Sequence, residues 1–154
     1  AVSGTDLYAG GTFLSAGGLW AHAIAKWDGS AWSALGSGAP GAVTALAVSG
    51  TDLYAGGGTG TGGFLVRWNG NAWSNLGLGM NDTITALAVS GTDVFAAGYF
   101  TSATNPGGSV VSVNQVAKWN GSLWSALGSG IKSHAFHYVD SLAVSGTDLY
   151  VGGA

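Results

Sequence analysis

Two histidines three residues apart, His134 and His137 in "HAFH", with Asp140 following, are the nearest approach to a metal-ligand cluster in this sequence. On a helix such a pair could share an ion. A loop or strand does not hold residues at this spacing towards one point, and only Asp140 is at hand as a third ligand. No metal site and no cofactor are expected. The only acids are seven aspartates, scattered rather than paired as acid/base catalysis requires. No serine stands in a nucleophile elbow, and the absence of cysteine removes thiol chemistry. The glycines follow turns instead of opening helices, which leaves no phosphate-binding loop. The residues point away from an enzyme.

The remaining charges are periodic. Asp6, Asp52, Asp93 and Asp148 each close an "SGTD" phrase, and Lys26, Arg67 and Lys118 each immediately precede a tryptophan. A calcium site needs several converging oxygens, whereas each phrase offers one carboxylate. Two structural roles fit better: a turn cap accepting backbone N–H groups, or an ion pair with the cation of the same repeat. The tryptophans come in pairs, Trp27/Trp32, Trp68/Trp73 and Trp119/Trp124. They could stack on sugars, but burial of one indole removes roughly 150–250 Å² from water, and fixed positions in every repeat suit a core between repeats better.

These positions are held by a repeat. The phrase "AVSGTDLYAGG" starts at residue 1 and returns, with small changes, at 47, 88 and 143, which divides the chain into units 1–46, 47–87, 88–142 and 143–154. Periods of this size mark repeat architectures. In the second unit, four short apolar segments, Thr44–Val48, Leu53–Gly57, Phe64–Trp68 and Ala72–Leu76, are bounded by Gly, Asn, Asp or Ser, the pattern of strands. Asp28-Gly29, Asn69-Gly70 and Asn120-Gly121 separate the third and fourth segments and predict two-residue type I′ hairpins. The fold expected is all-β: propeller blades of four antiparallel strands each, about three and a half in this chain. A β-helix with two coils per period is the competing fold, but its strands are parallel and these turns are antiparallel devices. In a meander the start of strand two lies beside the end of strand three, so Asp6 is expected to pair with Lys26, Asp52 with Arg67 and Asp93 with Lys118.

The units also resemble the kelch repeat, in which a Gly-Gly ends the second strand and aromatic residues follow. The matching residues are Gly10-Gly11, Gly56-Gly57 and Gly152-Gly153, together with the tryptophan pairs; the third unit departs with Ala97-Gly98, and Trp stands where kelch repeats usually have Tyr. The phrase is similar, too, to tandem repeats of large secreted or surface-anchored bacterial proteins. The resemblance implies a propeller that binds rather than catalyses, located outside the cell or on its surface.

Where the repeat breaks, binding residues are expected. The strand-two/three loops and the connections between units vary, and they carry Trp20, His22, Tyr99, Phe100, His134, Phe136, His137 and Tyr138. A protein or glycan partner is expected there, in a structural or adhesive role. A lectin propeller and a protein that assembles with copies of itself are the alternatives, and an enzyme with its chemistry elsewhere in a longer polypeptide remains a third class. Matching half-repeats at both ends suggest a segment of a longer array. Four cations and a net charge of −3 give no footprint for nucleic acid, and no apolar run is long enough for a membrane-spanning helix. Asn81 and Asn120 head N-x-S/T sequons, relevant only in a glycosylating host.

Overall fold

The computed structural model describes residues 1–59, 61–132 and 138–154, so His134, Phe136 and His137 lie outside the described residues. The first repeat contributes β1 (Val2–Ser3), β2 (Asp6–Gly10), a small hairpin of β3 (Ser15–Ala16) and β4 (Leu19–Trp20), then β5 (Ile24–Trp27) and β6 (Trp32–Ala34). The second contributes β7 (Val43–Ser49), β8 (Asp52–Gly58), β9 (Gly63–Trp68) and β10 (Trp73–Asn75), with β11 (Gly79–Met80) in the connection that follows. The third contributes β12 (Ile84–Ser90), β13 (Asp93–Gly98), a hairpin of β14 (Ser102–Thr104) and β15 (Val110–Ser112), then β16 (Val116–Trp119) and β17 (Trp124–Ala126). Finally, β18 (Val139–Ser145) and β19 (Asp148–Gly153) pair with each other.

The chain is all-β, and every pairing is antiparallel. Each full repeat forms the expected four-stranded meander: β1-β2-β5-β6, β7-β8-β9-β10 and β12-β13-β16-β17. The second sheet grows further, because β9 also pairs with β11, and β11 pairs with β14 of the third repeat. Among the described residues, none of the sheets closes on itself.

The turns explain the regularity. Gly4, Gly50, Gly91 and Gly146 sit at φ between 58° and 61°, which lets each "SGTD" reverse in two residues between Ser and Asp. The second hairpin differs from its expected type I′ form. Trp27 pairs with Trp32, leaving a four-residue loop in which only Gly29 has positive φ. Its geometry comes from a side chain: Asp28 Oδ1 accepts the Ser30 and Ala31 N–H groups at 2.8 and 2.9 Å. Asn69 Oδ1 does the same for Asn71 and Ala72, and Asn120 Oδ1 for Ser122 and Leu123. The Ala31 and Ser30 hydrogen bonds stabilise the carboxylate and lower the Asp28 pKa from 3.8 to about 2. A depressed carboxyl stabilises the fold above its unfolded pKa, and that contribution is lost as pH falls through about 2. A carboxyl-carbon NMR titration is expected to place Asp28 near 2, and Asp28→Asn to fold normally because the amide oxygen does this work twice elsewhere. A midpoint at the ordinary 3.8 would contradict the capped loop.

Packing occurs between repeats. One cluster joins the first and second repeats through Ile24, Leu35, Val43, Leu53, Ala55 and Val66. A larger one joins the second and third through Leu76, Met80, Ile84, Val94, Phe100, Trp119 and Trp124. A small third cluster sets Val116 and Ala97 against Val139 and Leu142. Strand β8 is buried from Leu53 to Gly57, as a strand covered on both faces must be, which accounts for its lack of polar alternation. Each long first strand has a register irregularity after its first residue, at Val43/Ala45, Ile84/Ala86 and Val139/Ser141. The bulged threonines reach across the junctions: the Thr44 hydroxyl donates to the Ile84 carbonyl, and Thr85 to that of Val139.

Candidate binding surfaces

At the end of the sheets formed by the repeated turns, the three ion pairs are made. Lys26 Nζ lies 3.1 Å from Asp6 Oδ2, Arg67 Nη2 2.8 Å from Asp52 Oδ2, and Lys118 Nζ 2.6 Å from Asp93 Oδ2. The register brings them together, since the third residue of strand two stands opposite the cation: Tyr8 faces Lys26, Tyr54 faces Arg67 and Phe95 faces Lys118. The Asp hydrogen bond raises the pKa of Lys26 and of Arg67. Asp148 begins β19 in an exposed position. All three pairs are partly open to water, where such a bridge contributes at most about 1 kcal/mol. Arg67→Ala is therefore expected to leave thermal unfolding within about 1 kcal/mol of the parent; a loss several times larger would mean that the pair holds the junction together.

Between the second and third repeats a cleft of about 270 Å³ opens at this same end, lined by Ser49, Asp52, Tyr54, Arg67, Ser74 and Trp119 among others. Its counterpart between the third repeat and β18–β19, about 290 Å³, uses Ser90, Asp93, Phe95, Lys118 and Thr147. These clefts lie at the opposite end of the sheets from the variable loops that carry Trp20 and Tyr99. The signal for these clefts is the monotony itself, because a wall made from every repeat yields a recurrent cleft. In both clefts the carboxylate and the cation balance each other and hydroxyls lie around them; Trp119 lines the first cleft and Phe95 the second.

The tryptophan pairs close the junctions. Ring centroids lie 5.6, 5.2 and 5.4 Å apart in Trp27/Trp32, Trp68/Trp73 and Trp119/Trp124, tilted in each case. The second indole then reaches the preceding repeat: Trp73 Nε1–H donates to the Leu35 carbonyl at 2.7 Å and Trp124 Nε1–H to that of Leu76 at 3.0 Å. Trp119 and Trp124 are buried, while the other two pairs are half-buried.

The variable end divides the expected contact residues. Trp20 is 68 % exposed on β4, with its ring 5.9 Å from that of exposed His22. Tyr99 is exposed and stacks on half-buried Tyr138 at 4.2 Å; the hydrogen bond between the two hydroxyls raises the Tyr99 pKa to about 12. Phe100 corrects the expectation of a surface anchor, being wholly buried in the cluster between the second and third repeats. The reason is the hairpin β14–β15, which docks on the preceding connection with Gly79 opposite Thr104 and Met80 opposite Ala103 and encloses the ring beneath it. Among the described residues no three acids or histidines converge as a metal site would require. Compared with protein-family models, with curated proteins and with solved structures, the chain matches none.

Proposed function

We propose that the chain is a run of kelch-like β-propeller blades, and that it serves outside the bacterial cell or on its surface as a non-catalytic scaffold. In this reading it holds a protein partner at the variable end. The observation that carries it is the recurrence of one junction, with the same indole-to-carbonyl bond and the same threonine bridge from repeat to repeat. The side chains that differ between its repeats stand on the connections between the repeated strands, with Trp20 on the β3–β4 hairpin and Tyr99 after β13 both uncovered. Immobilised chain is to be tested by interferometry against a panel of extracellular proteins, alongside Trp20→Ala and Tyr99→Ala. Binding that the loop variants abolish is expected. Absence of any binder, or binding indifferent to both variants, would overturn the reading.

A second reading, a lectin, is favoured by the recurrent clefts. Their size suits a monosaccharide, and Arg67, Asp52 and Ser74 would share its hydroxyls beside Trp119. Titration with neutral monosaccharides, followed by tryptophan fluorescence, separates the two. Saturable quenching that Arg67→Ala removes favours the clefts, and a flat response removes them.

A further inference from the structure

We propose that Tyr99 and Tyr138 form a modification site, at which a one-electron oxidant joins the two rings by a carbon–carbon bond into dityrosine and locks a repeat junction. The rings are stacked, with centroids 4.2 Å apart and planes inclined by 30°. Their hydroxyls share a hydrogen bond, which sets both at the same end of the stack. The carbons ortho to the hydroxyls therefore face each other. In a phenoxyl radical those carbons carry much of the unpaired electron, in orbitals perpendicular to the ring. Coupling needs two such faces held within reach, and positioning of this kind converts an encounter into an intramolecular step.

The pair belongs to the architecture. Tyr99 follows Gly98 at the end of β13, and Tyr138 precedes Val139 at the start of β18. One junction earlier, Gly58 follows Gly57 and Thr83 precedes Ile84 in the same way. A Cβ built on Gly58 would lie 2.9 Å from Thr83 Cα and 3.0 Å from its Oγ1, so the two positions touch there as well. Where that junction has a glycine and a threonine, the next has two phenols. Gly58 and Thr83 stand between complete repeats and are still half-open, so solvent reaches this point of a junction with a full repeat on either side. Tyr99 is 44 % exposed, which admits an oxidant to the pair.

The rest of the chain directs oxidation to this pair. There is no thiol to reduce a tyrosyl radical, and the single methionine, Met80, is buried. Tyr54 is buried, Tyr8 stands opposite Lys26 and Tyr150 opposite Ala143. Among the described residues no other two tyrosines are in ring contact. The step balances with hydrogen peroxide as terminal oxidant and a peroxidase as one-electron carrier. Each phenol gives up one electron and its hydroxyl proton. The two radicals form one bond between ortho carbons, and each of those carbons then loses its hydrogen as a proton while the ring oxygen regains one. Two electrons and two protons thus leave the chain, and they cleave the peroxide O–O bond to give two waters. The new bond closes residues 99–138 into a loop and removes freedom from the unfolded chain.

Dilute wild-type chain is to be treated with peroxidase and hydrogen peroxide, then followed by dityrosine fluorescence, intact mass and peptide mapping. A monomer lighter by two hydrogens and linked between positions 99 and 138 is expected, in a yield independent of chain concentration. Its midpoint of urea unfolding is expected to rise. Tyr99→Phe keeps the ring and removes the phenol, and is expected to cut dityrosine in the monomer at least about tenfold. Oxidation in urea, which dissolves the stack, is expected to replace the single link by mixed tyrosine pairs. Links formed only between chains, an unchanged yield in Tyr99→Phe, or the same 99–138 preference in urea would each refute the site. A linked chain whose urea midpoint has not moved would overturn the lock.

Discussion

Trp124→Ala is expected to lower stability by about 3–5 kcal/mol, near the upper limit for truncation of a buried aromatic residue. Trp124 is 2 % exposed, lies against Trp119, and closes the largest apolar cluster among the described residues. Its loss would also leave the Leu76 carbonyl without the indole N–H that reaches it from the next repeat. Asn105 adds to the anchoring: buried beside the strand, it accepts the Trp124 backbone N–H at 2.5 Å through Oδ1. Trp32→Ala provides the comparison, because Trp32 holds the same place in the first repeat and is only half-buried. Less than half the loss is expected there. Urea unfolding of both variants decides the matter, and equal losses would mean that the indoles stabilise their own sheets rather than the junctions.

The second large effect falls on glycine. A Cβ built on Gly57 would strike the Ala42 carbonyl oxygen, one on Gly98 the Thr83 oxygen, and one on Gly153 the Tyr138 oxygen. At these three positions the connection into the first strand crosses directly over the glycine, and backbone cannot move aside as a side chain can. Gly57→Ala is expected to cost at least about 3 kcal/mol by forcing the connection away. Its neighbour behaves differently. A Cβ on Gly56 comes within 3.0 Å of Ile84 Cγ2 and 3.2 Å of Leu87 Cδ1, both side-chain atoms that can shift. The third repeat carries Ala97 in that position without disturbance, buried and in register opposite Ala86. Gly56→Ala is expected within about 1 kcal/mol of the parent, helped by a less flexible unfolded chain. Chemical denaturation of the two single variants tests the contrast, and similar losses would contradict it. The departure of Ala97-Gly98 from Gly-Gly thus has a physical cause: only the second glycine lies beneath a carbonyl.

What the sequence reveals depends on whether a feature is local or spans a junction. Asp52 and Arg67 are legible because a meander with tight turns must place the start of strand two beside the end of strand three. The four-strand repeat is legible for the same reason, since each turn announces itself. Phe100 is not legible. Whether Tyr99 or Phe100 faces outward is fixed by a hairpin that docks on another repeat, and residues 99–115 read as an irregular loop. The faint signal was the shared "FLSA" and "FTSA" of Phe13–Ala16 and Phe100–Ala103, which have one backbone frame in two dissimilar loops. The Asp-Gly and Asn-Gly turns misdirected by dipeptide alone, because the Asx oxygen capping two N–H groups favours a longer loop.

Successive repeats are stitched by the same bonds, and hydrogen exchange at the indole N–H groups measures this directly. Trp73 and Trp124, which donate to Leu35 and Leu76, are expected to exchange far more slowly than Trp20, which is exposed on its hairpin. Exchange of Trp73 and Trp124 as fast as that of Trp20 would mean that the junction bonds do not form, and the stacked-repeat architecture would fall with them.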